Sequence, residues 1–405
     1  VYKRQALKRS KEHRNKLKKI AKEMSRRNER VFPVTPPIID ALDFILDRDE
    51  VDYLIQLQDR DYTYEELMAL STKSSDEFRK FSKLLQKKGF LEETVDKEGN
   101  DYWSLSPVGA GWVEMAMFYY MGRPEEREFH KLIYFEVFEY FKKYNRGPFR
   151  GFINRSISAL TDQKLLKPNN EVLPFPGNVN KTIPIDKSLE NPAYEIYPRK
   201  TINELIEERA ELYAVYTMPC ICRTAKKNVY GKPCSFGIEA EDSCLFFGDR
   251  GFGYNVTKIG IGRKISKQEA LDILHKTSEK GAVHTIFYEK DDIFTRSEVG
   301  ICNCCPDCCG LYRAFNAGAM PGLLKSYYYA SVVNLHECTG CKNCVKYCPT
   351  QAIALINDSV HINKDRCIGC AQCTIQFTGN SVITMVPETR DVILPLLGPA
   401  ERRYE

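Results

Sequence analysis

Apolar positions recur at helical spacing through the first third of the chain, punctuated by capping signals. Thr63-Tyr-Glu-Glu66 has the form of a capping box, in which the Thr63 hydroxyl and the Glu66 carboxylate satisfy each other's backbone N–H groups; it opens a short helix through Leu67 and Leu70. Ser74-Ser-Asp-Glu77 is a second box. It opens a longer helix with Phe78, Phe81, Leu84 and Leu85 on one face, closing at Lys87-Lys88-Gly89. Phe90 and Leu91, a turn at Lys97-Glu98-Gly99-Asn100, and residues 102–105 read as a β-hairpin. Residues 110–120 and 129–144 again have helical periodicity, and their aromatics, Phe135, Phe138, Tyr140 and Phe141 among them, are expected in a core. Residues 146–198, rich in Pro, Asn and Gly, predict an extended connecting segment with short strands. Beyond it, Thr201 can cap a helix through Leu212, residues 213–217 read as a strand, Ser266-Lys-Gln-Glu269 opens a helix closing at Lys280-Gly281, and residues 283–287 read as another strand.

Helix, helix, hairpin in that order resembles a winged helix. The expected fold class is α+β and multidomain. It comprises a basic, partly helical tail (1–33), a winged-helix-like domain (34–125) after the Pro-rich hinge at 34–37, and a helical and extended connector (126–200). A cysteine-rich α/β domain (201–325), a C-terminal cluster-binding unit (326–390) and a short tail (391–405) follow.

Composition narrows the function classes. With 405 residues, 43% hydrophobic and 28% charged, the chain is long enough for several cores and has the profile of a soluble protein. No apolar run approaches the roughly 18 residues that a membrane span needs. The first thirty residues are basic without an apolar segment, so no signal peptide is expected. Sixteen cysteines in tripods and vicinal pairs then point to metal binding in a reducing cytoplasm rather than to disulfides. The net charge of +5 hides an asymmetry: residues 1–30 hold thirteen Lys or Arg against Glu12, Glu23 and Glu29, a net +10 that leaves −5 for the remainder. Such a segment is either a solvated tail or a contact for nucleic acid, an anionic surface or an acidic partner. A winged helix invites a DNA-binding reading, with Ser74, Ser75, Arg79, Lys80 and Lys83 on the exposed face of its second helix. Against it, residues 36–105 carry seventeen acids and nine bases, and the wing itself holds Glu92, Glu93, Asp96, Glu98 and Asp101, which phosphate would repel. Docking to protein is the expected role of this unit, with nucleic acid as the alternative.

The chemistry concentrates between Cys338 and Cys373. Cys338-Thr-Gly-Cys341-Lys-Asn-Cys344-Val-Lys-Tyr-Cys348-Pro349 places three thiols at i, i+3 and i+6, which on a tight loop can reach three corners of one iron–sulfur cube; Cys367-Ile-Gly-Cys370-Ala-Gln-Cys373 repeats the pattern. This C-x2-C-x2-C-x3-C-P run resembles the bacterial two-cluster ferredoxins over residues of about 330–388. The resemblance implies that the fourth cysteine of each run serves the other run's cluster, so that Cys348, Cys367, Cys370 and Cys373 form a complete 4Fe–4S set. Cys338, Cys341 and Cys344 form a second tripod whose fourth position is Phe377, which cannot ligate iron. That leaves a 3Fe–4S cluster, a 4Fe–4S cluster with an exchangeable ligand, or a ligand from elsewhere. A zinc ribbon fits these seven cysteines poorly, since zinc favours two separated C-x2-C pairs. The resemblance also implies an anaerobic or microaerobic setting and a redox partner protein. Lys342, Lys346 and Lys364 beside the loops are either docking charges for such a partner or ordinary surface lysines.

The other nine cysteines lie in residues 201–325. Cys302, Cys305 and Cys308 repeat the tripod spacing within Cys302-Asn-Cys304-Cys305-Pro-Asp-Cys308-Cys309, and predict a third cluster completed by Cys220 or Cys222. The alternatives are a zinc site of Cys220, Cys222, Cys234 and Cys244, or a redox dithiol among Cys304, Cys305, Cys308 and Cys309. His284 in a strand reads first as a core residue, and Arg263-Lys264 ahead of a helix first as a solvated turn. No nucleotide fingerprint, nucleophile elbow or histidine pair marks a substrate. The expected function is electron transfer through 4Fe–4S clusters, as a relay or oxidoreductase subunit. The alternatives are a redox-sensing winged-helix regulator and an electron donor for maturation or reactivation of a metalloenzyme.

Overall fold

A computed structural model describes residues 10–26, 34–95, 99–145, 150, 155, 170–174, 201–249, 251–288, 299–319, 322–375 and 382–394. Helix α1 (Lys11–Arg26) is not a solvated tail. Leu17, Ile20, Ala21 and Met24, spaced three and four apart beneath the basic composition, are fully buried in the first core. Its outer face pairs with acidic neighbours: Arg14 with Asp40 at 2.9 Å, His13 with Asp43 at 2.9 Å and Lys16 with Asp52 at 2.6 Å. The positive segment thus neutralises part of the negative one inside the same unit.

Helix α2 (Pro36–Ile45) starts on proline, whose fixed φ suits a first turn, and α3 (Arg48–Leu54) is held by an Asp47/Glu50 capping box. Strand β1 (Asp61–Tyr62), α4 (Tyr64–Ala69), α5 (Ser75–Lys87) and the hairpin β2 (Leu91–Val95) and β3 (Asp101–Leu105) follow. The boxes at Thr63/Glu66 and Ser74/Glu77 open α4 and α5 as their sequences require. The three strands form a sheet in the order β1-β3-β2. Lys88, just past α5, is buried with its ammonium on Glu50 at 2.6 and 2.8 Å and on the Ile45 carbonyl at 2.8 Å, so the buried charge is paired and hydrogen-bonded.

Helices α6 (Val113–Tyr120), α7 (Glu126–Lys131) and α8 (Val137–Tyr144), with π-helical turns at Val108–Trp112 and Leu132–Glu136, pack Trp112, Phe129, Leu132 and Val137 into the same core as α1. The stretch expected as a connector after residue 125 is therefore part of the N-terminal core. Most of 146–198 lies outside the described residues, but β4 (Asn170–Leu173) within it joins a large sheet.

That sheet has eight strands. Its elements are β5 (Val215–Met218), β6 (Cys244–Phe247), β7 (Arg263–Ile265), β8 (Val283–Tyr288), β9 (Val299–Cys304), β10 (Gly322–Val332), and, after the hairpin of β11 (Ile353–Ile356) and β12 (Ser359–Ile362), β13 (Ile383–Leu394). The order is β13-β10-β4-β8-β9-β6-β5-β7. Every neighbouring pair is antiparallel except β10–β4. Helices α9 (Ile202–Leu212), α10 (Ile221–Tyr230), α11 (Phe252–Lys258), α12 (Lys267–Glu279) and α13 (Gly310–Asn316) intervene. The α/β expectation for residues 201–325 is corrected accordingly: strands and helices alternate along the chain, yet the strands return antiparallel, giving an α+β arrangement. Alternation in sequence does not set strand direction; a helix followed by a further turn brings the chain back antiparallel.

The boundaries expected at 325/326 and 390/391 fall inside β10 and β13, which pair from Gly322↔Leu394 to Val332↔Ile383 with one register shift between Ser326 and Tyr328. The N-terminal unit is also tied to the sheet. Lys258 on α11 reaches Glu93 of the β2 strand at 2.6 Å, and Asn228 on α10 donates to Glu126 at 2.6 Å and to His130 Nδ1 at 3.1 Å.

His130 is fully buried, and since Nε2 faces the Met117 carbonyl at 3.1 Å, that nitrogen carries the proton while Nδ1 accepts from Asn228. Burial lowers its pKa below 6.5, partly offset by the Met117 bond and Glu126. A base whose folded pKa is depressed contributes stability above its unfolded pKa that is lost as pH falls. Melting temperature should thus decline from pH 7 toward pH 5, and the decline should be shallower in His130→Gln, measured by circular dichroism across that range; an unchanged slope would refute this account.

Candidate metal centres

The two C-terminal cysteine runs fold into matching loops. Gly340 and Lys342 have φ of +65° and +66°, and Gly369 and Ala371 have +68° and +59°, so each loop makes the same pair of left-handed turns around its second cysteine. Each then enters a short helix, α14 (Asn343–Tyr347) or α15 (Gln372–Ile375), whose first turn carries the third cysteine, Cys344 or Cys373. The two left-handed glycines differ in their surroundings. A Cβ on Gly340 would meet the Asp358 carbonyl oxygen at 3.3 Å, whereas one on Gly369 would collide with the Tyr328 carbonyl oxygen of β10.

Cys348, Cys367, Cys370 and Cys373 line one pocket, with Ala330 and Met385 from β10 and β13 and with Ile353 and Ile368. Cys348 crosses to the second run because Pro349 turns the chain away at the end of α14. Two backbone amides aim at sulfur here: Ala330 N–H at Cys367 Sγ, 3.3 Å, and Ala352 N–H at Cys348 Sγ, 3.2 Å. Cys338, Cys341 and Cys344 line a second pocket with Leu355, Val360, Thr374 and Val382, and Cys373 of the first pocket reaches this one as well. Cys341 is exposed there, whereas Cys348, Cys367 and Cys373 are buried. Phe377 lies outside the described residues. Burial pushes Cys344 up to about 11 and raises Cys348, Cys370 and Cys373 as well. Such thiols ionise when a cationic core replaces the lost water, and the loops, amide donors and apolar walls suit 4Fe–4S clusters on both counts. Lys364 is engaged with Glu388 at 2.6 Å and lies 4.1 Å over the Tyr329 ring.

In the middle region eight of the nine cysteines line one cavity, and two of them, Cys305 and Cys308, also form a close triangle with Cys234. Cys234, Cys305 and Cys308 have their sulfurs all within 4.8 Å of one another, Cys234 and Cys305 at 3.5 Å. A tetrahedral ion with Zn–S bonds of about 2.3 Å sets thiolates about 3.8 Å apart, so this triangle fits a single ion better than a cubane, whose thiolates stand on separate irons. Asp307, between them in sequence, is spent on the Lys226 ammonium and on the Ser235 N–H at 2.8 Å.

The other six line a cavity of about 320 Å³, to which Cys305 and Cys308 also contribute: Cys220 and Cys222 at the start of α10, Cys244 at the start of β6, Cys302 and Cys304 on β9, and Cys309 capping α13. They run thiol to thiol, Cys222 beside Cys220, then Cys244, Cys302, Cys304 and Cys309. Neighbouring S–H donors hold Cys220 and Cys304 well below the usual thiol range, while Cys222, Cys244, Cys302 and Cys309 lie well above it.

Of the expected tripod, Cys305 and Cys308 converge on Cys234 and Cys302 is not part of that triangle, though all three line the cavity. Spacing of three converges only where the chain is looped, and Cys302 lies in β9, paired opposite Cys244, with Cys304 on the same face two residues on. Cys305 and Cys308 begin past the strand end and turn toward Cys234. Of the partners expected for the tripod, Cys220 and Cys222 line the same cavity as Cys302, Cys305 and Cys308. The zinc set of Cys220, Cys222, Cys234 and Cys244 is divided: Cys234 joins Cys305 and Cys308, and the other three line the cavity. His284 is buried with Nδ1 2.7 Å from Asn303 Oδ1, and burial lowers its pKa to about 4, the core role expected of it. Arg263 is paired with Asp242 at 2.8 Å and Glu269 at 2.6 Å.

Two functional features lay outside the sequence expectations. Arg223, directly after Cys222, is 4% exposed and lines the cysteine-rich cavity. Burial opposes its charge, but Cys220, Cys305, Cys244 and Cys234 around it raise its pKa. Tyr312 on α13 is fully buried, its hydroxyl 2.8 Å from Thr285 Oγ1, and it feels Cys304 and Cys309 on one side and Cys370 on the other. Tyr312, Cys304 and Cys309 belong to one buried apolar layer with Ile368, and Cys370 packs against it.

Residues 330–376 match the family model of the 4Fe-4S dicluster domain, so the chain carries a ferredoxin-type domain within a larger protein. A 53-residue stretch is 34% identical to AegA of Escherichia coli (strain K12), an oxidoreductase by description; it covers 13% of this chain and 8% of that protein. No solved structure matches. Among the described residues no helix is long and apolar enough to cross a membrane.

Proposed function

We propose that this chain is an iron–sulfur electron-transfer protein, a relay or oxidoreductase subunit of the cytoplasm. In it Cys348, Cys367, Cys370 and Cys373 hold one 4Fe–4S cluster, and Cys338, Cys341 and Cys344 hold the other. The observation that carries this reading beyond the domain match is the buried layer in which Tyr312 and Ile368 join Cys370 to Cys304 and Cys309. The clusters, when bound, supply one-electron steps. The chain's own residues set where electrons enter and leave. Exposed Cys341 makes its site the natural entry for a redox partner protein, while Ile353, Ile368 and Met385 shield the buried site from water. The Ala330 and Ala352 amides favour the more negative, reduced state by donating to its sulfurs.

The test is a redox titration of anaerobically reconstituted protein followed by electron paramagnetic resonance. Two separable one-electron signals within the span of about −700 to +450 mV are expected. Assembled clusters that accept no electron in that window would sink the reading.

The helix–strand–helix–helix–hairpin order of the N-terminal unit keeps a winged-helix regulator as a second reading. Its weakness is electrostatic: wing residue Glu93 is engaged by Lys258, and the α1 cations by Asp40, Asp43 and Asp52. Retardation of a DNA duplex by the full chain at low salt would revive it.

A further inference from the structure

The middle region holds more thiols than a ferredoxin-type relay uses, and their arrangement is specific. We propose that Cys220, Cys222, Cys244, Cys302, Cys304 and Cys309 together hold one polynuclear iron–sulfur cluster, separate from the ferredoxin-type pair and built on a wider ligand set than a cubane's four thiolates.

Size argues first. Among the described residues only Cys234, Cys305 and Cys308 lie as close together as the ligands of a single ion. The six others are strung around a cavity of about 320 Å³, too wide for one ion to bridge, with Cys305 and Cys308 of the triangle also lining it. They come from four elements distant in sequence, and β6–β9 pairing sets Cys244 directly opposite Cys302. All sixteen cysteines are free, so these six are not consumed by disulfides.

Charge argues second and independently. Arg223 lines this cavity at 4% exposure; one Nη donates to the Asn303 carbonyl, while Nε and the other Nη have no hydrogen-bond partner. A buried guanidinium with two idle N–H groups is costly unless an anion accepts them. A thiolate-ligated cluster is such an anion, with sulfur acceptors suited to those donors. The opposite wall, from Met117, Phe118, Val137 and Phe138 of the N-terminal helices with Glu114 among them, is largely apolar. The inference deepens the electron-transfer reading and rests on it only for direction: Tyr312 and Ile368 place this centre next in line after Cys370.

The test uses the full chain, reconstituted anaerobically with iron and sulfide, with metal analysis, Mössbauer and paramagnetic resonance spectra. Iron above the about eight atoms of two cubanes is expected, with a signal distinct from the ferredoxin pair. Cys244→Ser and Cys304→Ser should each lose that excess and that signal while the ferredoxin signals, which report an intact fold, persist; Cys234→Ser should retain both. Iron that stops at about eight atoms, or an excess that survives Cys244→Ser and Cys304→Ser, overturns the assignment. Should those variants also lose the ferredoxin signals through misfolding, Arg223 decides. Arg223→Met should lower the midpoint potential of the extra signal, because a positive charge beside it is gone, and Arg223→Lys should largely restore it. A potential indifferent to both overturns the proposal. Failure of the electron-transfer reading would appear elsewhere, in ferredoxin signals that do not titrate.

Discussion

Cys348→Ser should abolish the cluster of the second cysteine run and spare that of the run in which Cys348 itself lies. Cys348 shares its pocket with Cys367, Cys370 and Cys373, whereas Cys338, Cys341 and Cys344 line another. Iron should fall by about four atoms per chain, or by about one if a three-iron remnant persists. The paramagnetic signal assigned to the exposed site should remain, and the one assigned to the buried site should vanish or become that of a three-iron cluster. Cys341→Ser gives the reciprocal pattern. A Cys348→Ser protein that keeps the buried signal and loses the exposed one would show that the fourth ligand does not cross over.

Gly369→Ala should be the most damaging single-methyl addition in the cluster domain. The residue sits at φ +68°, and its added Cβ would strike the Tyr328 carbonyl oxygen, a backbone atom of the sheet that cannot swing aside. Left-handed strain plus a rigid clash predicts a loss of about 3 kcal/mol or more. Gly340→Ala carries the same dihedral strain, but its Cβ meets the Asp358 oxygen at 3.3 Å, so about 1–2 kcal/mol is expected. Thermal melting of the reconstituted proteins, with cluster absorbance at each step, checks both. Equal losses at the two glycines would mean that β10 yields where the contact geometry says it is fixed.

These contrasts indicate what a sequence discloses. The ferredoxin-type loops are legible because their chemistry is local: three thiols, two left-handed positions and a proline lie within a dozen residues of one another. The capping boxes at Thr63 and Ser74, and the Ser266 N-cap whose hydroxyl accepts from the Glu269 N–H, are legible for the same reason. Asp47-Arg-Asp-Glu50 is an equally local box that the periodicity reading passed over. The middle cysteines resist sequence reading because the partner of Cys302 is set by β6–β9 register across 58 positions, from Cys244 to Cys302, and by a strand that converts triplet spacing into alternation. Arg223 is concealed similarly. Nothing beside Cys222 announces that a charged side chain will be enclosed; only the packing of the N-terminal helices against the sheet encloses it. In α1 the burial pattern was present at Leu17, Ile20, Ala21 and Met24, but thirteen basic residues in the first thirty masked it.

The long pairing of β10 with β13, with its one register shift between Ser326 and Tyr328, bears on kinetics. Strands that run from the eight-stranded sheet into the cluster domain hydrogen-bond that domain to the sheet that carries the middle cysteines. Transfer between the buried cluster and the interior of the chain is then governed by separation and driving force alone. Its rate should not respond to viscosity or salt, while exchange with an outside partner at Cys341 responds to both.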